Sequence, residues 1–562
     1  MGIGKRSSEL DYFDIDVYSR KITTSNDKAQ LWFDRGLVWT FAYCHEEAAS
    51  CFAKALEHDP DCAMAHWGIA YAAGPNYNMQ WHHFDLAGKT KALATAYDAT
   101  QAALAIKGNV TQPERALIEA LAARYPKREP IEDQKPWNAD FMNAMRAAYE
   151  ANPGDLEVAC IFVEAIMNVT PWKMWDLKNA TVAEGAGTVE AEAVLDDCFR
   201  NAAAWKHPGL LHLHVHLMEM SPHPERALKT GDVLRTLVPD AGHLIHMPTH
   251  IDILCGNYRD TVYWNEKAIE ADLKFVEREG AMNFYTAYRI HNYHFALYGA
   301  MFLGQFEPAI RAAEGLIETT PEDLLRVETP PMADFIEGYF SMKEHVMIRF
   351  GKWREIIALP SIQDPEIFCV THAMRLYAKG VAHAALGEVE QAEAKRLEFL
   401  DAKTNVPESR YLHNNSCVDL LKIAEAMLEG EIEYRKANYE EAFAHLRRSV
   451  ALDDALPYDE PWGWIQPTRH ALGALLFEQA RTEEAEAIYR EDLGLGGKLS
   501  RATIHPDNVW SLKGLVDCLD ARKKGHTKEA RLLKQRLDFA LSRADGRVAA
   551  SCFCAQAAMA AE

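Results

Sequence analysis

AQLWFDRGLVWTFAYCHEEAASCFAKALEHDP, residues 29–60, is the stretch that decides the fold. Bulky apolar residues stand at Trp32, Trp39 and Phe52, small ones at Gly36, Ala48 and Ala55, and Pro60 ends it. Apolar residues spaced i, i+3, i+4 and i+7 place one stripe along a helix. The small residues fall where two helices of a pair pack closely, and the proline stops the second helix. Counted from Ala29, those seven residues match a helical repeat of about 34 residues.

The same register recurs outward from this stretch. From Pro208, Ala227 falls at position 20 and Pro239 at 32; from Gly242, Gly256 falls at 15, Tyr258 at 17 and Ala268 at 27. From Ile290, Gly304, Ala309 and Pro321 fall at 15, 20 and 32. Weaker copies start near Ala373, Ile423 and Gln466. The expected fold is therefore all-α, a solenoid of stacked helix pairs of the tetratricopeptide type. Its expected parts are an N-terminal extension (1–28), one superhelix (29–540) with histidine-rich central repeats at 208–321, and a tail (541–562). Stretches 101–140 and 181–200 fit the register poorly and read as inserted helices and loops.

The chain has 562 residues, 48% apolar and 25% charged, with 60 Lys+Arg against 82 Asp+Glu and a formal net charge of −22. That balance speaks against binding phosphate backbones or anionic membrane surfaces, so no nucleic acid and no membrane is expected as partner. The N-terminal MGIGKRSSELDYFDID lacks an apolar leader, and Gly2 lacks the Ser or Thr at position 6 that would favour acylation. The 11 cysteines form no zinc-knuckle spacing, and Cys552 and Cys554 are too close and too terminal to build on. Reduced cysteines and a cytoplasmic protein are expected. Dinucleotide, P-loop, serine-elbow and HExxH motifs are lacking.

In such solenoids the groove is lined by positions 2, 5, 9 and 12 of each first helix. In the repeats from Pro208, Gly242 and Ile290 these positions hold His212, His216 and Glu219, then His243, His246 and His250, then His291 and His294. Histidine is 23 of 562 residues, so chance would place fewer than one among positions 2, 5 and 9 of three repeats; seven are found. Imidazoles at i and i+4, or i and i+3, project from one helix face. An all-imidazole set suits copper, zinc or iron. Glu219 stands one turn beyond His216, as a ligand or a general base. Its His-x-x-Glu order is the reverse of the Glu-x-x-His of carboxylate-bridged di-iron bundles. His214 falls on the other face of its helix, and His207 and His223 read as structural. Asn76 and Asn78, in GPNYN, and Trp172, in PWKMW, are candidate substrate contacts at the groove.

The segments CAMAHWGIAYAAGPNYN (62–78), HPGLLHLHVHLMEMSPHPERAL (207–228), AGHLIHMPTHIDILCGNY (241–258), HNYHF (291–295), MIRFGKW (347–353) and SVALDDALPYDEPWGW (449–464) resemble a family of large tetratricopeptide-repeat proteins of bacteria and fungi. The resemblance covers most of residues 30–540. It implies the solenoid and the histidine-lined groove, with His212, His216, His246, His250, His291 and His294 in motif positions; His66 and His214 depart from the pattern. The expectation is a metal-dependent enzyme that takes a small organic molecule in the groove, with redox chemistry favoured over a zinc-type hydrolase or lyase. The alternative is a non-catalytic peptide-binding scaffold.

Overall fold

The computed structural model describes residues 12–555. Residues 1–11, on which the leader and acylation readings rest, and residues 556–562 of the tail lie outside the described residues. Helices dominate; the strands among the described residues are two short hairpins, Trp175–Asp176 with Thr181–Val182 and Tyr411–Leu412 with Asn415–Ser416. The chain is an all-α solenoid of stacked helix pairs. The described residues divide into two compact units, one within 1–251 and 267–280, the other within 252–266 and 281–562. No helix among the described residues is long and apolar enough to cross a membrane.

The first unit shows how the repeat residues make the stack. Helix Asp27–Phe41 starts at Asn26, whose side chain accepts from the amides of Lys28 and Ala29, satisfying two donors that the first turn leaves open. It pairs with helix His45–His58, and helix Ala63–Ala73 follows. A Cβ added at Gly36 or at Gly68 would lie 2.6 Å from the Phe52 ring. One buried aromatic thus interlocks three successive helices, and only glycine lets the flanking backbones approach it. The stretch 101–140 supplies regular helices, Leu86–Ile106, Gln112–Arg124 and Lys135–Ala151. The stretch 181–200 supplies half of a hairpin and helix Thr188–Cys198. The described part of the N-terminal extension lies across this unit: Arg20 pairs with Asp155, Thr23 donates from its amide and hydroxyl to Glu114, and Phe13 packs between Trp39 and Phe275.

The second unit repeats the device. Its pairs include Thr286–Leu303 with Phe306–Glu318, Cys369–Ala385 with Val389–Thr404, Cys417–Arg435 with Tyr439–Asp454, Thr468–Glu478 with Thr482–Asp492, and Val509–Ala521 with Lys528–Leu541. Gly473 and Gly514 face the buried Tyr489 ring from either side, where a Cβ would stand 2.6 Å and 2.2 Å from it. Gly430 meets Leu446 in the same way at 2.7 Å. One expectation about the tail fails. Cys552 and Cys554 are joined in a disulfide, their Cα atoms 5.2 Å apart and within bridging range, whereas the other nine cysteines are free.

Candidate metal centre

Close backbone approach places the first histidine pair. Pro208 opens helix Pro208–Glu219, where its missing N–H costs nothing, and the His207 ring accepts from the Leu210 amide. A Cβ at Gly209 would lie 2.6 Å from the Phe41 ring and 2.7 Å from Cys160 Sγ, so glycine lets this helix settle against helix Asp27–Phe41. His212 Nδ1 thereby donates to the Phe41 carbonyl at 2.7 Å. That bond turns Nε2 inward, where it is buried and makes no hydrogen bond among the described residues. One turn on, His216 Nδ1 donates to Glu219 Oε1 at 2.9 Å.

The second set comes from a helix that breaks. Residues Gly242–His246 and Pro248–Leu254 are separate helices, because Pro248 has no amide to continue the ladder at Met247. A Cβ at Gly242 would lie 2.0 Å from Asp272 Oδ1, so only glycine fits there. The break still leaves His246 and His250 in contact, with their Nε2 atoms 2.9 Å apart. His250 Nδ1 lies 2.8 Å from Glu219 Oε2. One carboxylate therefore spans the Nδ1 atoms of two histidines on different helices.

The five rings of the first unit form one chain of contacts. Ring centroids are 4.7 Å apart for His212 and His216, 4.9 Å for His212 and His243, 5.9 Å for His243 and His246, and 4.9 Å for His246 and His250. All five and Glu219 are at most 2% exposed. Burial, reinforced by neighbouring rings, holds His212 and His243 neutral well below the usual histidine range. Burial takes His250 down to about 3 even though the Glu219 carboxylate opposes the shift. Neutral imidazole is the form that ligates a metal.

The donor set fits a transition-metal ion. One ring nitrogen each of His212, His216 and His243 lies within 4.8 Å of the other two. Bonds of 2.0–2.1 Å to an ion put tetrahedral ligand atoms about 3.3 Å apart, a difference that small ring rotations close. Nδ1 anchors on Phe41 O and on Glu219 leave Nε2 as the inward atom of His212 and His216, while His250 Nε2 meets His246 Nε2. Such outer hydrogen bonds fix tautomer and direction in metal-binding histidines. Glu219 thus has Oε1 bonded to His216 Nδ1 and Oε2 within 2.8 Å of His250 Nδ1.

Aromatic side chains close the site, and sequence reasoning found one of three. Trp172 lies 5.8 Å from the His216 ring, and its amide donates to Tyr77 Oη at 3.1 Å. Tyr77, in the same GPNYN turn as the two asparagines, is 4.9 Å from His216. Tyr43 is 4.7 Å from His212 and 5.5 Å from His243. The signal for Tyr43 was its position, just beyond the first helix in a left-handed conformation (φ 54°) where the repeat prefers glycine. Asn76 Oδ1 accepts from the amides of Asn78 and Met79 and so holds its own turn. Asn78 Oδ1 makes no hydrogen bond among the described residues. His214 binds Thr230 Oγ1 at 2.7 Å, on the face away from the cluster as expected.

His291 and His294 belong to the second unit, on helix Thr286–Leu303. Their centroids are 6.4 Å apart, and each has a further neighbour: His413 at 5.8 Å from His291, Tyr339 at 5.2 Å from His294. Both His294 nitrogens are buried without a hydrogen bond among the described residues. Burial, helped by His345 and His413, lowers His294 to about 3. His413 is itself anchored, its Nδ1 donating to Asp459 Oδ1.

No protein-family model matches the chain, and no curated protein matches it in sequence. Among solved structures it is similar to the human IFIT1 dimer with m7Gppp-AAAA, at 11% identity over 86% of this chain and 90% of that one, with a TM-score of 0.33. It is also similar to yeast Tom70, at 11% identity, 91% and 99% coverage and a TM-score of 0.26. The APC/C hetero-tetramer Cut9–Hcn1 is similar at 13% identity, 95% and 96% coverage and a TM-score of 0.25. Likenesses at these scores assign no ligand or partner; the solenoid stands on the helix pairs themselves.

Proposed function

We propose that the first unit is a metal-dependent enzyme that acts on a small organic molecule beside a histidine-held transition-metal ion. The observation that carries this reading is the Glu219 bridge, which anchors His216 and His250 through Nδ1 while Phe41 O anchors His212 the same way. Two orienting hydrogen bonds aimed at one buried cluster, from His212 to Phe41 O and from His216 to Glu219, are costly to assemble for packing alone, since each turns the other ring nitrogen to the interior. His212, His216 and His243 are the proposed ligands, with His246 and His250 adjoining them. His291 and His294 remain candidates on the second unit. The ion, copper, iron or zinc, would supply Lewis acidity or electron transfer. Tyr43, Tyr77 and Trp172 exclude water around His216, and half-buried Trp172 and Asn78 are the proposed substrate side. The imidazole-only donor set favours redox chemistry over a hydrolase or lyase.

Elemental analysis of protein purified without a histidine tag tests the site. About one ion per chain is expected, and His212→Ala with His243→Ala should remove it. Unchanged metal content in that double variant would overturn the assignment. A substrate screen on metal-loaded protein, with the double variant as blank, then tests the enzyme reading.

A further inference from the structure

The second unit has its own groove, and the chain's own tail is in it. Counted in the repeats from Ala373, Ile423 and Gln466, positions 5 and 9 include Tyr377, Val381, Met427, Glu431 and His470. These five line a single groove together with Cys552 and Cys554. The cavity left beside the tail is small, about 30 Å³.

The tail is held as a peptide ligand is held. Beyond helix Lys528–Leu541, Asp545 accepts from the amides of Phe306 and Glu307, both at 2.8 Å. Arg349 Nη2 donates to the Ser551 carbonyl and Arg435 Nη2 to the Cys554 carbonyl. Ser551 Oγ donates to the His470 carbonyl at 2.9 Å, so the Tyr489 hydroxyl, 2.6 Å away, donates to it in turn. The Phe553 ring lies 6.1 Å from Trp510. It also lies over Gly351, where φ is +66° and a Cβ would be 2.8 Å from the ring. Arg349 is buried, stacks 3.9 Å from Trp510 and makes no ion pair among the described residues. Both guanidinium groups are held by groove residues, Arg349 by His470 Nδ1 at 3.0 Å and Arg435 by Glu431 at 3.6 Å, and what they offer the tail is a grip on its main-chain carbonyls. The Ser551 and Phe553 pockets supply the side-chain selectivity.

We propose that this groove is a peptide-docking site whose resident ligand is the chain's own segment 546–555. The partner it fits is an extended peptide with a hydroxyl residue followed two places later by an aromatic, and it docks when the tail is out. The inference rests on the second unit alone and is independent of the metal site.

A labelled synthetic peptide of residues 546–555, in its Cys552–Cys554 disulfide form, is titrated into the full chain and into a chain ending at residue 545. Saturable binding is expected to the shortened chain and at least tenfold weaker binding to the full chain. Peptides carrying Ser551→Val or Phe553→Ala should each bind at least tenfold more weakly. No binding to a shortened chain that keeps its helical circular dichroism and a cooperative melt overturns the proposal, as does equal binding to both chains. Should the shortened chain fail to fold, hydrogen exchange in the full chain decides. Arg349→Ala with Arg435→Ala should speed exchange of the amides of residues 550–555 at least tenfold while helix Lys528–Leu541 is unchanged. Unchanged protection of the tail amides overturns it.

Discussion

The two units use one packing rule and furnish their grooves in opposite ways. In the first, the groove positions of helix Pro208–Glu219 and of the broken pair Gly242–His246 and Pro248–Leu254 carry imidazoles anchored from behind. In the second, groove positions on helices Cys369–Ala385, Cys417–Arg435 and Thr468–Glu478 face a stretch of main chain held by two arginines. Ring stacks of glycine against aromatic, Gly36 and Gly68 on Phe52, Gly473 and Gly514 on Tyr489, are common to both. The scaffold is thus indifferent to what its inner positions hold. Chemistry is set by a few residues per helix, which is how one fold serves unrelated ends.

The largest expected effect treats both units alike and bounds the comparison. His45 and His214 in the first, and His345 and His470 in the second, are lowered by burial to between about 3 and about 4. Unfolded histidine titrates near 6.5, so between about pH 6.5 and 4 the unfolded chain takes up protons that the folded chain refuses. Stability therefore falls as pH drops through that window, by up to about 3 kcal/mol for each such histidine. Asp453, raised by burial to about 7, works the other way, because its folded carboxyl keeps a proton that the unfolded one has lost. Asp34, raised by burial to about 6, acts in the same sense over a shorter span, and the four histidines outweigh the two aspartates. Urea midpoints in excess chelator should be clearly lower at pH 5 than at pH 7; equal midpoints would contradict the neutral, buried assignment.

Metal should then split the units. An ion bound to the native state alone stabilises by about 4 kcal/mol at a thousandfold excess over Kd. Hydrogen exchange in helix Pro208–Glu219 should slow on metal addition, and return with a strong chelator. Exchange in helix Thr468–Glu478 serves as the reference. Equal slowing in both helices would show that the ion acts through something other than the His212 cluster.

Overpacking tests whether the shared rule is shared in energy. Gly36→Leu and Gly473→Leu each drive a side chain into a buried aromatic, Phe52 or Tyr489, and should each cost about 1–3 kcal/mol. Gly108, with open space about its α-carbon, is the control position and should tolerate alanine. A large cost in one unit and none in the other would mean that the two stacks are not built alike.

The fold was legible because glycine and proline punctuation mark where helices meet and stop. The site was partly legible, and its gaps have physical causes. Groove arithmetic found His212, His216, His243, His246 and His250 because side-chain direction follows from helix register. It could not find Tyr43 or Tyr77, which lie outside helices, where direction depends on turn conformation. The register counted His243, His246 and His250 along one helix, and nothing local fixed that His246 and His250 would still touch across the break at Met247. Cys552 and Cys554 looked uninformative as a spacing, because their meaning comes from Arg349, Arg435 and Tyr489, distant in sequence and adjacent only once folded.

The smallest effect bears on Glu219, where both oxygens are already engaged. Glutamine at this position keeps size and one acceptor but presents an amide to the second imidazole. With one Nδ1 anchor kept and one turned to a donor–donor clash, His216 or His250 loses its fixed tautomer while the ring stays in place. Outer-shell changes of this kind cost 10–100-fold in metal affinity, and the retained anchor puts Glu219→Gln near the lower end, about tenfold. Competition with a calibrated chelator measures it. Were Glu219 a direct ligand, the loss would be far larger and the spectrum of a bound cobalt(II) probe would change with it. Were it only a packed helical glutamate, affinity would stay level and the histidines of the first unit would be holding themselves.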